Sequence, residues 1–232
     1  VHINEFKHII VSGLYFILPA GIMIGQPDLG SAVIFGVIWT AMLLVAGVNK
    51  KHLFLLLIIA AAVFYVSWAV VLHSYQKDRI ISFLNPYDDP RGKGYNLIQS
   101  QVAIGSGYLF GNGLGKGSQI GLGFLPEAKN DFIFAATAEQ FGLAGIIIIA
   151  GLIGIILQRI LSIGRAASFN FGKLFSIGMA VFIFTHALVG SAVNIGLMPI
   201  TGIPFPFISY GGSSMVSMMI GLGMLQSIKR YG

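Results

Sequence analysis

The sequence contains no cysteine and few charged residues, and both absences narrow what the protein can be. Without cysteine, these 232 residues can form neither a disulfide framework nor a thiolate metal site. Only 9% of the residues are charged, whereas a soluble domain carries about 25%. A chain so poor in charge cannot cover an ordinary water-facing surface. With 56% hydrophobic residues, the composition favours a protein that lies in a lipid bilayer.

Motifs for nucleotides and metals are also absent from the sequence. No G-x-G-x-x-G run occurs, and Lys116 does not belong to a P-loop, because Gly117 follows it instead of Ser or Thr. No cluster of His, Asp and Glu has the spacing of metal ligands, so no metal site is predicted. A divalent cation such as Mg²⁺ or Mn²⁺, held partly by a substrate's pyrophosphate, is nevertheless compatible with the sequence.

Long apolar stretches dominate what remains. A membrane-spanning helix needs about 20 mainly apolar residues, and a lone strand could not satisfy its backbone in lipid. The predicted fold class is therefore all-α: a polytopic bundle with about six transmembrane helices, forming a single membrane domain over residues 1–232. The six predicted spans are His8–Ile24, Leu29–Val48, His52–Leu72, Phe132–Leu157, Leu174–Met198 and Phe207–Ile228.

The distribution of basic residues predicts the orientation of these spans. If the N-terminus is cytoplasmic, the cytoplasmic segments hold eight Lys and Arg residues against one acid, Glu5, whereas cations and acids balance on the other side. The net charge of +6 thus indicates topology, and nucleic-acid binding is not expected. The C-terminus is predicted to be cytoplasmic.

A long external segment, residues 73–131, separates the third span from the fourth. Its first part is polar, and Leu97, Ile98 and Val102 have the spacing of a short helix on the membrane surface. Residues 105–123 then contain eight glycines, which permit unusual backbone conformations and close approach to a ligand. A connection of this length is uncommon unless it has a function.

The end of this segment carries the strongest candidate, Asp131, at the expected start of a helix. One interpretation is structural, because Asp is a favoured N-cap and suits the helix dipole. The other is a general base that accepts a proton from a sugar hydroxyl. Because the dipole lowers the pKa of such a carboxyl, burial or an acidic neighbour would have to raise it.

Other polar residues leave two interpretations open. Glu139 lies inside a predicted span, where an ionisable group is either functional or paired with a neighbouring helix. Lys116 and Lys129 are either solvated loop charges or ligands for phosphate. His186, also within a span, is expected to bond a neighbouring helix.

Four motifs in order resemble the SEDS family of cell-wall polymerases, which includes RodA-, FtsW- and SpoVE-like proteins. They are QPDLGSA at residues 26–32, GNGLGKGSQ at 111–119, FLPEAKNDFIFA at 124–135 and GIPFPFISYGGSS at 202–214. The resemblance covers nearly the whole chain. It implies a ten-helix protein of which this chain, beginning at Val1, is expected to be the last six helices.

The resemblance also implies an activity: a glycosyltransferase that polymerises lipid II into glycan strands on the outer face of the bacterial cytoplasmic membrane, for elongation or division. The family's essential acid corresponds to Asp131. We expect a class B penicillin-binding protein, a transpeptidase, as partner. The residues expected to contact substrate are Lys116, Ser118, Gln119, Glu127, Lys129, Glu139, Ser209, Tyr210 and Ser213.

Two other functions fit the same features. A flippase for the lipid-linked precursor would also use broken helices and a polar region at membrane depth. A scaffold that docks the transpeptidase would need no catalytic acid.

Overall fold

The computed structural model describes residues 6–26, 28–70 and 74–231, and all regular structure in those ranges is helical. The all-α prediction is therefore confirmed. The elements are α1 (Phe6–Gly25), α2 (Leu29–Val45), α3 (Lys50–Val70), α4 (Ser74–Leu84), a 3₁₀ turn (Pro86–Asp88), α5 (Tyr95–Ser106), α6 (Ser118–Gly121), α7 (Ile133–Ala166), α8 (Asn170–Ile195) and α9 (Gly212–Tyr231).

A helix lies at each of the six predicted spans. By length and hydropathy, α7 and α8 can each cross a membrane, and α1, α2 and α3 contain shorter apolar stretches. The last predicted span began at Phe207, but α9 begins at Gly212, because Phe207 has a left-handed φ of +65° and the Tyr210 amide donates to the Lys129 carbonyl instead of to a helical turn. Pro27 lies outside the described residues, and so do residues 71–73, which include the end of the third predicted span.

The long external segment contains more helix than its composition suggested. The helix predicted from Leu97, Ile98 and Val102 is present as α5, and its place on the membrane surface stays a prediction. The polar part before it forms α4 and the 3₁₀ turn. Lys93 Nζ lies 2.9 Å from Asp78 Oδ1, and the Asp89 carboxylate accepts from the Gly92 and Lys93 amides at 3.0 and 3.1 Å. These local contacts order a stretch that is rich in charge and proline.

The chain forms two compact units. The first combines Val1–Ser74, Arg159–Thr185 and Gly221–Gly232; within it, Phe16 stacks on Trp39 at a ring distance of 5.0 Å. The second combines Tyr75–Gln158 with His186–Ile220. Every candidate site residue belongs to the second unit.

Helix α7 is interrupted at Gly142, which has φ +65° and ψ −164°. The interruption leaves backbone groups that the helix itself cannot pair, and the glycine-rich segment pairs them. The Leu143 and Ala144 amides donate to the Tyr108 and Leu109 carbonyls at 2.9 and 3.0 Å. In return, the Asn112 and Gly113 amides donate to the Glu139 and Gln140 carbonyls at 2.9 and 3.0 Å. The backbone of the break is thereby satisfied inside the protein.

Candidate active site

Asp131 lies immediately before α7, in a segment that the protein core holds down. Leu125 and Phe132 bracket this segment and are almost completely buried. They pack with Ala103 of α5 and Ala135 of α7 in one apolar cluster. Two amides, those of Asn130 and Phe132, donate to the Glu127 carbonyl at 3.0 and 3.3 Å. The Asp131 side chain is therefore carried by a turn with fixed ends.

The Asn194 side chain fixes the same turn from α8. Its Nδ2 donates to the Asp131 carbonyl at 2.9 Å and to the Gly190 carbonyl at 2.7 Å. Its Oδ1 accepts from the Ala135 amide at 3.0 Å, which pairs one of the amides left open in the first turn of α7. Asn194 is 1% exposed, so these bonds are shielded from water.

The segment before α9 lies against the other side of the turn. Ser209 Oγ donates to the Asn130 carbonyl and accepts from the Phe205 amide, both at 2.8 Å. The Tyr210 amide donates to the Lys129 carbonyl at 2.9 Å. Ser209 and Asn130 are 79 residues apart in the sequence. The two motifs that contain them thus form one site.

The electrostatic environment makes Asp131 a stronger base than an ordinary aspartate. Burial raises the pKa of the Asp131 carboxyl, the nearby Glu127 carboxylate raises it further, and the Arg79 guanidinium lowers it. A raised pKa at a helix start needs burial or an acidic neighbour, and both are present. Arg79 was not predicted; its Nη1 donates to the Ile200 carbonyl at 3.5 Å.

Two open cavities adjoin the turn. The first, of about 340 Å³, is lined by Ile120, Leu125, Glu127, Ala128, Lys129, Asn130 and Tyr210. The second, of about 430 Å³, is lined by Lys129, Ile133, Phe207, Ile208, Ser209, Tyr210, Gly211, Gly212 and Met215. Lys129 and Tyr210 line both cavities. Asp131 lines neither, but its neighbour Asn130 lines the first, and the Asn130 Oδ1 is buried with no hydrogen-bond partner.

Glu139 lies away from these cavities and has another task. It is completely buried, and its Oε1 and Oε2 accept from the Gln119 and Ile120 amides at 2.8 and 3.1 Å. Gly117 packs so closely that an added Cβ would lie 2.3 Å from the Glu139 carboxyl carbon. Of the two interpretations left open for Glu139, the structure favours the buried pairing, and the partner is the short helix α6.

The glycine-rich segment approaches α7 rather than an open space for a ligand. A Cβ on Gly107 would lie 1.9 Å from the Ala138 carbonyl oxygen, and one on Gly111 would lie 2.1 Å from that of Gln140. The glycines of this segment were expected to permit close approach to a ligand, but the Asn112, Gly113 and Gln119 amides donate to α7 instead. Lys116, Ser118 and Ser213 are exposed and line neither cavity.

Asn194 is the residue that sequence reasoning missed. A buried asparagine near the end of an apolar span, shortly before Pro199, was the available signal, because polar groups in such spans need partners. Among the described residues, no group of three or more His, Asp and Glu could hold a metal ion.

The sequence of the chain is similar to those of proteins named as peptidoglycan glycosyltransferases. It is 36% identical over 214 residues to the peptidoglycan glycosyltransferase MrdB of Escherichia coli K12, covering 92% of this chain and 58% of that protein. It is 40% identical over 208 residues to a probable peptidoglycan glycosyltransferase FtsW of Trichlorobacter lovleyi, covering 90% and 54%. The chain thus spans little more than half the length of these relatives.

A solved structure agrees with the fold. A chain from a peptidoglycan synthase complex, studied for the coordination of polymerization and crosslinking, superposes with a TM-score of 0.81 at 28% identity. The match covers 99% of this chain and 64% of the other. The family model FTSW_RODA_SPOVE, described as cell cycle protein, matches residues 2–232. The chain therefore belongs to the FtsW/RodA/SpoVE family of polytopic membrane proteins, as the four motifs predicted.

Proposed function

We propose that this chain forms the catalytic part of a peptidoglycan glycosyltransferase that polymerises lipid II, with Asp131 as the general base. The observation that carries the proposal is a half-buried carboxylate with a raised pKa on the turn before α7, whose neighbours Lys129, Asn130 and Ile133 line two cavities. The family and the names of the relatives support the same activity.

The reaction requires a base at the acceptor sugar. The acceptor hydroxyl oxygen forms a bond to the anomeric carbon of the donor sugar, and the bond from that carbon to the pyrophosphate oxygen breaks. Undecaprenyl pyrophosphate leaves with the electron pair, and the hydroxyl proton passes to the Asp131 carboxylate. A raised pKa makes the carboxylate a better proton acceptor, provided that the pH keeps it ionised.

Lys129 is the cation best placed to hold the pyrophosphate, because it lines both cavities. A cation there would offset the charge that develops on the leaving group. Glu127, Ser209 and Tyr210 belong to the same turn or cavities and complete the proposed contact set. Lys116, Ser118 and Ser213 remain proposed contacts from the family motifs alone.

We assign positioning roles to Asn194 and Glu139. Asn194 binds the Asp131 carbonyl and the α7 backbone, so it sets where the catalytic carboxylate points. Glu139 binds the Gln119 and Ile120 amides, and Ile120 lines the first cavity. Both side chains act by holding other residues of the site in place. A small displacement of those residues would have a large effect on the reaction rate.

The proposed setting is a multi-pass protein of the bacterial inner membrane. Its C-terminus is cytoplasmic, which the basic residues Lys229 and Arg230 in the last turn of α9 support. The chain is one membrane domain in which residues 73–131 form the large extracellular segment. The proposed partner is a class B penicillin-binding protein, because the structurally similar chain comes from a complex that couples polymerization to crosslinking.

The test is polymerisation of lipid II by the intact protein in detergent, read as glycan strands on a gel. Asp131→Asn keeps the shape of the side chain but removes the base, so strands are expected to disappear. Asp88→Asn is the matched control, because Asp88 is exposed in the 3₁₀ turn and its loss is expected to leave polymerisation unchanged.

Other outcomes identify the competing functions. Equal activity of the wild type and Asp131→Asn would refute the assignment of the base. A protein that makes no strands but moves labelled lipid II across liposome membranes would be a flippase. A protein that does neither, yet binds its transpeptidase after Asp131→Asn, would be a scaffold.

A further inference from the structure

The backbone pairing at the α7 break fixes where the glycine-rich segment lies. The carbonyls of Tyr108 and Leu109 accept from the amides that follow Gly142, and the Gly113 amide donates to the Gln140 carbonyl just before it. These bonds join main chain to main chain, so residues 108–113 must lie at the same level along α7 as Gly142.

That level is inside the hydrocarbon core of the membrane. A core of about 30 Å takes about 20 helical residues. In α7 these must fit between the charged residues Asp131 and Arg159, and the one charge between them, Glu139, is completely buried. Every window of that length within residues 132–158 contains Gly142. The level of the break is therefore in the core whichever placement the helix adopts.

The side chains of the segment suit that depth. Residues 94–115 include no charged residue. Tyr108, Leu109 and Phe110 are 83%, 61% and 82% exposed, so the described residues of the chain leave them uncovered. Three consecutive large side chains facing water would be costly, at about 25 cal/mol for each Å² of apolar surface.

The neighbouring surface of α7 is also apolar and uncovered. Leu143, Ile147 and Ile148 are 51%, 61% and 62% exposed, as expected for a membrane helix that faces lipid. Because the Tyr108 carbonyl accepts from the Leu143 amide at 2.9 Å, residues 108–110 lie beside this uncovered part of α7. Irregular backbone is tolerated at such depth when its polar groups are paired within the protein, and the pairing across the break satisfies that condition.

We propose that residues 107–113 are a re-entrant segment whose Tyr108, Leu109 and Phe110 side chains contact the bilayer hydrocarbon. Part of what the sequence presents as an extracellular loop thus dips into the membrane and returns to the same side. The segment is anchored to α7 by four main-chain bonds and to lipid by its apolar side chains. The proposal does not depend on the catalytic role of Asp131.

The absence of cysteine from this chain allows a direct test by spin labelling. Phe110→Cys is labelled with a nitroxide in the intact protein, with any cysteine outside this chain replaced by serine, in phospholipid vesicles. Collision with molecular oxygen, which concentrates in hydrocarbon, is compared with collision with a water-soluble nickel chelate. Ile148→Cys is the lipid-facing reference, and Tyr87→Cys, on an exposed position of the polar 3₁₀ turn, is the reference for water.

The label at Phe110→Cys is expected to give the oxygen-to-nickel ratio of Ile148→Cys, shifted far from that of Tyr87→Cys. A ratio equal to that of Tyr87→Cys would place the segment in water and overturn the proposal. Low collision with both reagents would mean that protein covers it, which would overturn the proposal equally. Leu109→Cys provides a second label on the same segment, should Phe110→Cys fail to fold.

Discussion

The two parts of α7 on either side of Gly142 belong to one helix but have opposite surroundings. From Ile133 to Gln140 the helix is buried or partly buried by protein: Ala135, Ala136, Ala138 and Glu139 are all at most 5% exposed. From Leu143 to Gln158 its large apolar side chains are mostly uncovered, with Leu152 and Ile155 both 56% exposed. The first part receives the glycine-rich segment, whereas the described residues leave most of the second part uncovered.

This difference follows from the sizes of the side chains in the two parts of α7. Small residues in the first part of α7 leave room for another backbone, and the glycines of residues 107–117 fill that room without side chains of their own. Large aliphatic residues in the second part need no protein partner in a membrane. The site therefore stands on a part of α7 that is fixed on several sides.

Among the tests of this contrast, the largest effect is expected for Gly142→Ala, with Gly151→Ala as its comparison. Gly142 has a backbone conformation open essentially to glycine alone, and an added Cβ would lie 2.5 Å from the Gly111 amide nitrogen. We expect a loss of about 3 to 5 kcal/mol in the free energy of unfolding, from strain and broken backbone bonds. A Cβ at Gly151 meets no atom within 4 Å, so that change is expected to be neutral or slightly stabilising. Thermal unfolding in detergent measures both, and equal effects would refute the contrast.

A smaller effect is expected from Glu139→Ala compared with Ile148→Ala. Removing the Glu139 carboxylate leaves the buried Gln119 amide and the Ile120 amide unpaired, at a cost of about 2 to 3 kcal/mol. Truncating the lipid-exposed Ile148 is expected to cost much less, because the side chain lies on the uncovered surface.

Hydrogen exchange separates this role of Glu139 from a general loss of stability. In Glu139→Ala the Gln119 and Ile120 amides are expected to exchange faster, while the Leu143 amide, which bonds to Tyr108, keeps its protection. Glu139→Gln, with one oxygen acceptor, is expected to fall between the two. Faster exchange throughout the segment would argue against a local clamp.

Asn194→Ala tests how the start of α7 is held. The change leaves the Ala135 amide and the Asp131 carbonyl without their side-chain partner, and we expect a loss of about 2 kcal/mol. If the proposed function holds, polymerisation falls further than stability does, because Asp131 is no longer oriented. Asn112→Ala is the control, since the Asn112 side chain is exposed and its bond to Glu139 uses the backbone amide. Equal loss of activity in both variants would contradict the positioning role.

The smallest effect concerns the pH at which Asp131 ionises. Glu127 raises the pKa of the Asp131 carboxyl and Arg79 lowers it. Glu127→Gln should therefore lower that pKa, so the carboxylate persists to lower pH and the acid limb of the polymerisation rate moves to lower pH. Arg79→Gln should move the limb to higher pH. Shifts in the same direction for both variants would show that charge is not the cause.

Much of the molecule could be predicted from its sequence. The apolar stretches predicted the six long helices, because a chain in lipid must pair its backbone internally. The spacing of Leu97, Ile98 and Val102 predicted α5. Asp131 and its acidic neighbour Glu127 could be selected as candidates because several charged residues lie just before a membrane helix. The four motifs identified the family.

Helix ends and partners were harder to predict. Phe207 was expected to begin the last span, but its φ of +65° is not helical and α9 begins only at Gly212. The glycine-rich segment was expected to admit a ligand, yet Gly107, Gly111 and Gly117 pack against α7. A glycine in a sequence does not indicate what, if anything, approaches it.

The sequence by itself determined that the chain is helical, lies in a membrane and carries an acid at the start of a helix, since each follows from composition and local pattern. Only the tertiary structure decided that Asn194 holds the Asp131 turn and that Glu139 accepts from the Gln119 and Ile120 amides. It also decided that α7 breaks at Gly142 and pairs there with residues 108–113. These contacts join residues far apart in the chain, and a hydrogen bond depends on where two groups meet in space, which no local pattern of residues specifies.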